Sequence, residues 1–273
     1  ILANLAFLGV SASLSEADFM DWGWRLPFIA SFVLILISMY VQLNLEDTPA
    51  FKALAANQAP KDATQKKALK SPVAEVLRRY PKRIVLAAGA FLSIQVTFYI
   101  LIAFVVAYGV NSPTVTLSRD MMLTAVLVAA AIMVPSQFYF SGLSDRLGRK
   151  TVYRWGAILT GLWGFALFPL IDTGNPFAIC FAVTMGLVFL GMQYGPQAAF
   201  FTELFSTEVR YSGASLGYQL GAIVGGALAP TIAVLLWNNF GIFYVSVYIA
   251  LAAILTLTSL SQLTETKGSD LTD

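Results

Sequence analysis

Apolar residues run through this chain of 273 residues in blocks far longer than one face of a helix or strand needs. Residues 84–109, 121–144, 155–171 and 177–202 contain no Asp, Glu, Lys or Arg, and neither does 211–264. Each block is near or above the roughly 20 residues that carry a helix across a bilayer core, and the last is long enough for two crossings. Trp237-Asn238-Asn239-Phe240-Gly241 supplies the turn that divides it. The pattern predicts a complete span at 26–45, with Pro27 in its first turn, and six more at 84–109, 120–142, 152–172, 177–202, 212–236 and 241–263. Residues 1–14 read as the end of a truncated span. Glu16, Asp18, Asp21, Trp22 and Trp24 form a short connection whose indoles suit the headgroup belt. The fold class is an all-α polytopic membrane protein.

Composition agrees: 58% of residues are hydrophobic, 12% are charged, and the mean hydropathy is +0.72. A soluble core cannot hide apolar residues that run almost without interruption. Cys180 lies within a span, so no disulfide framework exists, and the absence of His removes the usual imidazole ligand and proton shuttle. The long polar segment is 46–83, in which Val73, Val76, Leu77 and Tyr80 fall at helical spacing after Ser71-Pro72. It reads either as a short amphipathic helix on a membrane surface or as a solvated basic linker. Of the 17 Lys and Arg residues, all but Arg25 and Arg119 fall on one side of the predicted spans. That asymmetry assigns the 46–83 loop and the C-terminus to the cytoplasm.

In 191–230, Gly213, Gly217, Gly221 and Gly225 recur every four residues. At about 100° per residue they form one slowly drifting stripe, a seam against which another helix backbone can lie. Gln219 falls on the opposite face. The segment Gly142-Leu-Ser-Asp145-Arg146-Leu-Gly148-Arg149-Lys150 joins two spans on the cytoplasmic side. Its glycines allow a tight turn and close backbone approach. Asp145 can cap the next helix or pair with an arginine, while Arg146 and Arg149 reach carboxylates or headgroups. A basic juxtamembrane loop accounts for these charges but not for their spacing.

That spacing resembles the signature loop of the major facilitator superfamily, which recurs in both halves of its members. Glu203-Leu-Phe-Ser-Thr-Glu208-Val-Arg210 resembles the cytoplasmic end of the tenth helix in sugar-porter-like members. Glu46-Asp47-Thr48-Pro49 and Glu265-Thr266-Lys267-Gly268 resemble the short motifs that close each half there. The runs at 193–201 and 210–220, with Gly225-Gly226 and Pro230, are similar to the metabolite:proton symporter family, nearest its shikimate-type branch. That family includes bacterial permeases for shikimate, α-ketoglutarate, citrate and proline or betaine.

The resemblance covers essentially the whole chain and implies its organisation. Residues 1–45 would end an N-terminal half, with a truncated helix and one complete span. Residues 46–83 would be the central cytoplasmic loop, 84–263 the six-helix C-terminal half, and 264–273 a cytoplasmic tail. Substrate would bind near the midplane between the halves, with 84–109 and 177–202 lining the cavity. The implied activity is proton-coupled symport of a small organic acid or zwitterion across the bacterial inner membrane, by a protein that is monomeric when full length.

Polar side chains are costly in lipid, so they face the bundle interior or a cavity. The candidate substrate contacts are Gln95 and Tyr99, then Gln193, Tyr194 and Gln197, then Tyr218 and Gln219. Amides and phenols offer several donors to carboxylate- and hydroxyl-bearing solutes without a fixed charge. Interhelical hydrogen bonding is the alternative use for them. Asp145, Arg146, Arg149, Glu203 and Arg210, with Gly142 and Gly148, are the candidates for a gate at the membrane edge. Static anchoring of the topology is the other reading. No carboxylate lies deep in a complete span, so the proton-coupling group is expected in the preceding half. There is no nucleotide-binding glycine loop, metal-ligand cluster or Ser/His/Asp set. No enzyme activity, catalytic residue, metal, cofactor or nucleic-acid partner is therefore expected; the partners are metabolite, proton and bilayer. A solute sensor or scaffold derived from a transporter, and an uncoupled facilitator or antiporter, remain the competing functions.

Overall fold

The computed structural model describes residues 6, 9–10, 12–45, 72–115, 117–206 and 209–268. The chain divides into two compact units, Ile1–Ala59 and Pro60–Asp273. In the first, α1 (Glu16–Asp21) is capped by Ser15, whose Oγ accepts from the Asp18 N–H at 3.2 Å. A 3₁₀ turn at Gly23–Arg25 leads into α2 (Leu26–Asn44), with Pro27 in its first turn. The Arg25 guanidinium donates to the Asp21 carbonyl and lies over the Trp24 ring, 4.7 Å from its centroid. Apolar residues cover every face of α2, as a helix surrounded by lipid requires.

The second unit is a bundle. A short helix α3 (Pro72–Arg79) precedes α4 (Pro81–Tyr99), which continues through a π-helical stretch, Ile100–Phe104, into α5 (Val105–Asn111). Then follow α6 (Arg119–Leu147), α7 (Arg149–Asp172), α8 (Pro176–Glu203) and α9 (Arg210–Gly221). A second π-helical stretch, Ala222–Ala227, leads to α10 (Ala229–Phe240), and α11 (Ile242–Gln262) closes the bundle. Among the described residues seven helical runs are long and apolar enough to cross a membrane, one in the first unit and six in the second. No strand occurs among them. With no water in a bilayer core, the helix satisfies every backbone group within one segment.

Local signals set most helix ends. Proline opens α4 and α8, Ser118 Oγ accepts from the Met121 N–H at 3.3 Å, and Asn175 Oδ1 accepts from the Phe177 N–H at 2.9 Å. The turn read from 237–241 is shorter in the structure. Asn239 bonds back to the Leu235 carbonyl at 2.8 Å, so the helix persists to Phe240 and Gly241 alone makes the corner, at φ +94°. Residues 46–71, 207 and 208, with the motif at Glu46–Pro49 expected there, lie outside the described residues.

α8 packs against α6 and α7, α11 against α7 and α4, and α4 against α9. Side chains pin these contacts to backbone. The Tyr153 hydroxyl donates to the Ala90 carbonyl at 2.9 Å, Ser246 to Gly164 at 2.7 Å, and Trp163 Nε1 to Ala182 at 2.9 Å. Phe104, Tyr108, Phe168 and Trp237 interlock in edge-to-face pairs at the end away from residues 143–150. The outward surface of the spans is apolar, with Val85, Leu162, Leu251 and Ile254 exposed, the inverse of a water-soluble protein.

Candidate functional site

Five helix ends converge where α6, α8 and α11 finish and α7 and α9 begin. Arg149 is the centre of this charged end. Its Nε donates to both Glu203 oxygens, at 2.8 and 2.7 Å, and its Nη1 to Asp145 Oδ1 at 2.9 Å. Arg149 and Glu203 side chains are only 18% and 12% exposed, against 60% for Asp145. Thr266 Oγ1 donates to Glu203 Oε2 at 2.5 Å. The Glu265 carboxylate accepts from four main-chain N–H groups: Arg149 at 2.9 Å, Lys150 at 3.1 Å, Thr266 at 3.1 Å and Lys267 at 3.2 Å. It thus caps the N-terminus of α7, more than a hundred residues earlier in sequence, where the helix dipole favours a negative charge. Gly148 makes this possible: its φ is +106°, and a Cβ there would stand 2.7 Å from Glu265 Oε2. Two lysines answer from the other side. Lys150 Nζ donates to the Leu263 carbonyl at 2.5 Å, and Lys267 Nζ to the Arg146 carbonyl at 2.6 Å. The 145–150 loop and the 263–267 segment therefore cap one another.

Not every residue proposed for a gate joins this clasp. Arg146 contributes its carbonyl. Arg210 donates from Nε to the Phe205 carbonyl at 3.4 Å, in the connection that leads into α9. A Cβ on Gly142 would meet nothing within 4 Å among the described residues.

Halfway along the bundle, α9 runs beside α4 with its glycines inward. A Cβ on Gly217 would stand 2.7 Å from Ala87 Cβ, on Gly221 2.9 Å from the Ala88 carbonyl, and on Gly225 3.1 Å from Gln95 Cβ. Gly213 instead receives the Phe205 ring, 2.4 Å from its virtual Cβ. The seam ends where both helices lose regular α geometry, Ala222–Ala227 on one and Ile100–Phe104 on the other. Pro230 has no N–H for the Gly226 carbonyl, which accepts from the Leu228 N–H instead. The Tyr99 ring lies against Gly226, 2.7 Å from its virtual Cβ, with Gln95 Nε2 at 3.3 Å. One to two turns nearer the charged end, the Tyr218 ring lies against Phe91, with centroids 4.3 Å apart. Tyr194 is exposed, Tyr218 half-buried, Gln219 exposed, and Gln95 and Gln197 buried.

Gln193, a candidate substrate contact, lies inside the packing of the bundle. It is fully buried, its Nε2 donates to Thr160 Oγ1 at 2.8 Å, and its stem fills the space opposite Gly156. It faces α7, away from Tyr194, because adjacent helix positions point about 100° apart. Two features escaped the sequence reading altogether. Gly225-Gly226 followed by Pro230 could have signalled the π-helical stretch. No local signal ties Glu265 to α7.

The sequence profile of the Major Facilitator Superfamily matches residues 3–216. The chain belongs to that superfamily. Among its relatives, a "Putative metabolite transport protein" of Haemophilus influenzae is 32% identical over 100% of this chain and 62% of its own length. The "Inner membrane metabolite transport protein YhjE" of Escherichia coli is 35% identical over 98% of the chain and 60% of its own length. The "Shikimate transporter" of Escherichia coli is 32% identical over 89% and 54%. The chain thus spans about three-fifths of the first two relatives. This facilitator-superfamily chain is a multi-pass membrane protein, and its relatives are named as transporters, not enzymes.

The clasp carries a testable consequence. Glu265→Ala leaves four N–H groups without their carboxylate and should lower the melting temperature of the detergent-purified full-length protein by about 3–6 °C, the effect of losing a good helix cap. Glu265→Gln, which keeps an acceptor oxygen but no charge, should fall between the two.

Proposed function

We propose that the full-length protein is a secondary transporter that takes up a small organic acid or zwitterionic metabolite across the bacterial inner membrane, coupled to protons, by alternating access. Residues 1–45 end its N-terminal half, 46–83 form the central cytoplasmic loop, 84–263 are the C-terminal half and 264–273 a cytoplasmic tail. The excess of Lys and Arg on one side supports a cytoplasmic clasp. The observation that carries the reading is the π-helical stretch Ala222–Ala227 at mid-span, packed against Gln95 and Tyr99 of α4 just before the second such stretch, Ile100–Phe104, begins. Irregular backbone is tolerated at membrane depth where it lines a cavity or binds a ligand, and π-bulges concentrate at functional sites.

Tyr99, Tyr194, Tyr218 and Gln219, with Gln95 and Gln197 behind them, form this half's share of the substrate surface; Gln193 holds α8 to α7. Arg149, Asp145, Glu203 and Glu265 latch one conformation at the cytoplasmic edge, so that their release contributes to the free-energy difference between states. Proton coupling resides in the N-terminal half. Uptake of a panel of labelled metabolites by cells expressing the complete gene, with and without a protonophore, tests the reading. Accumulation of one organic acid or zwitterion that collapses with the protonophore is expected; uptake insensitive to it refutes coupling. With that solute, Tyr218→Phe keeps the ring on Phe91, loses one hydroxyl contact, and should weaken apparent affinity about tenfold at unchanged expression.

A further inference from the structure

A side chain from α11 enters the main-chain hydrogen-bond ladder of α4. Thr256 is fully buried, and its Oγ1 accepts from the Ser93 N–H at 3.0 Å. The same oxygen lies 3.0 Å from the Gly89 carbonyl oxygen and 3.2 Å from that of Ala90. Ser93 N–H and Gly89 C=O are the two groups that a regular α-helix pairs with each other. Ala90 already receives the Tyr153 hydroxyl at 2.9 Å and Gly89 is the nearer, so the Thr256 proton goes to Gly89. The hydroxyl thus bridges the donor and the acceptor of one helical bond. Two further observations agree. A Cβ on Gly89 would overlap Ser259 Oγ, so the glycine admits α11 as closely as Thr256 needs. A serine within a helix can return its hydroxyl to the carbonyl of residue i−4, which for Ser93 is Gly89. Thr256 stands on that carbonyl, and the buried Ser93 Oγ has no partner among the described residues.

We infer that Thr256 is a positioning residue for the substrate surface: its hydroxyl, set into the 89–93 turn, fixes the direction in which α4 presents Gln95 and Tyr99. This rests on the reading of those two side chains as substrate contacts. A bond that only ties two helices together needs one polar atom on α4, whereas Thr256 engages a donor and that donor's own acceptor. An inserted side chain is one of the few causes of a bend in a helix. Gln95 and Tyr99 sit between this turn and the π-helical stretch Ile100–Phe104, on a short piece of helix with an altered ladder at each end. Their fit against the neighbouring span is close. A Cβ on Gly225 would stand 3.1 Å from Gln95 Cβ, and one on Gly226 2.7 Å from the Tyr99 ring. A change of direction at 89–93 therefore alters this fit first.

Thr256→Val in the full-length protein keeps the side-chain shape, removes the hydroxyl and frees Ser93 N–H and Gly89 C=O to pair with each other. Thr256→Ser keeps the hydroxyl. In cryo-electron microscopy maps, Gln95 and Tyr99 should move relative to Gly226 by about 1 Å in Thr256→Val, a displacement large enough to matter at a binding site, and should superpose on the parent in Thr256→Ser. The second readout is uptake of the labelled organic acid or zwitterion that parent cells accumulate in the panel above. Its apparent KM should rise about tenfold in Thr256→Val with the maximal rate kept, and return to the parent value in Thr256→Ser. A purely structural bond predicts a lower melting temperature with both side chains in place and KM unchanged. Unmoved Gln95 and Tyr99, or an unchanged KM, in Thr256→Val overturns the proposal. If parent cells accumulate nothing, the transport reading fails, and the maps alone decide whether Thr256 positions the two side chains. If Thr256→Val does not fold, Thr256→Ala is read in the same way, and a parent map with Thr256 Oγ1 out of reach of Ser93 N or Gly89 O overturns the proposal.

Discussion

Gly221→Leu should prevent the full-length protein from accumulating as a folded species. A Cβ at this position would stand 2.9 Å from the Ala88 carbonyl oxygen and 2.9 Å from Phe91 Cβ. The first is main chain in the middle of α4 and cannot swing aside. Accommodating a side chain therefore means parting α4 from α9, and the contacts of Gly217 with Ala87 and of Gly225 with Gln95 are lost with it. In lipid, helix association rests on close packing, with no hydrophobic drive to compensate. A cost of about 3 kcal/mol or more follows, a large share of ordinary folding stability. The matched control is Gly142→Leu. Its Cβ would meet nothing within 4 Å among the described residues, and leucine is the better helix former by up to about 1 kcal/mol. Fluorescence-detected size exclusion of solubilised membranes should show loss of the folded peak for the first and a peak at least equal to the parent's for the second. Equal peaks for both would show that the seam does not bear the packing.

Arg149→Ala should be the most damaging change at the charged end. The guanidinium fork meets Glu203 through Nε and Asp145 through Nη1, and Glu203 is largely shielded from solvent. Removing the fork leaves a shielded carboxylate with the Thr266 hydroxyl in place of a cation, at a cost of about 3 kcal/mol. Arg149→Lys returns a charge but not the geometry, because an ammonium is a point donor that cannot bridge both carboxylates in one plane. It should recover only part of the loss. Combining Arg149→Met with Glu203→Gln should cost less than Arg149→Ala alone, since no charge is then stranded. Melting curves of the four purified proteins check this, and an Arg149→Ala protein melting with the parent would remove the pair from the stability account. If the pair also latches one state, the double variant should alter transport more than its melting temperature suggests.

The spans were legible because long uncharged runs such as 84–109 and 177–202 have one solution in a bilayer, the helix. Observed helices overshoot the predicted bounds by a few residues at the charged ends, where Arg149, Glu203 and Arg210 begin or finish them outside the apolar run. The Gly217, Gly221 and Gly225 stripe was legible as a seam, since spacing defines a face, but its partner α4 lies more than a hundred residues earlier. Gln193 shows the same limit from the other direction. A polar residue at depth must meet a partner, yet periodicity cannot say whether that partner is solute or helix. In the structure its partners are Gly156 and Thr160 on α7, which no periodicity along α8 could name.

Sequence alone therefore determined what depends on solvent and on one segment at a time: helices in lipid, their number, the charged edge, and the glycine face. Tertiary structure decided which faces meet. It brought Glu265 onto the start of α7, laid the π-helical stretch Ala222–Ala227 against Gln95 and Tyr99, and turned Gln193 inward. The physical reason is range. Hydrophobic transfer and backbone hydrogen bonding act within a segment and leave a periodic trace along it, whereas a cap or contact between distant residues exists only once the helices have packed.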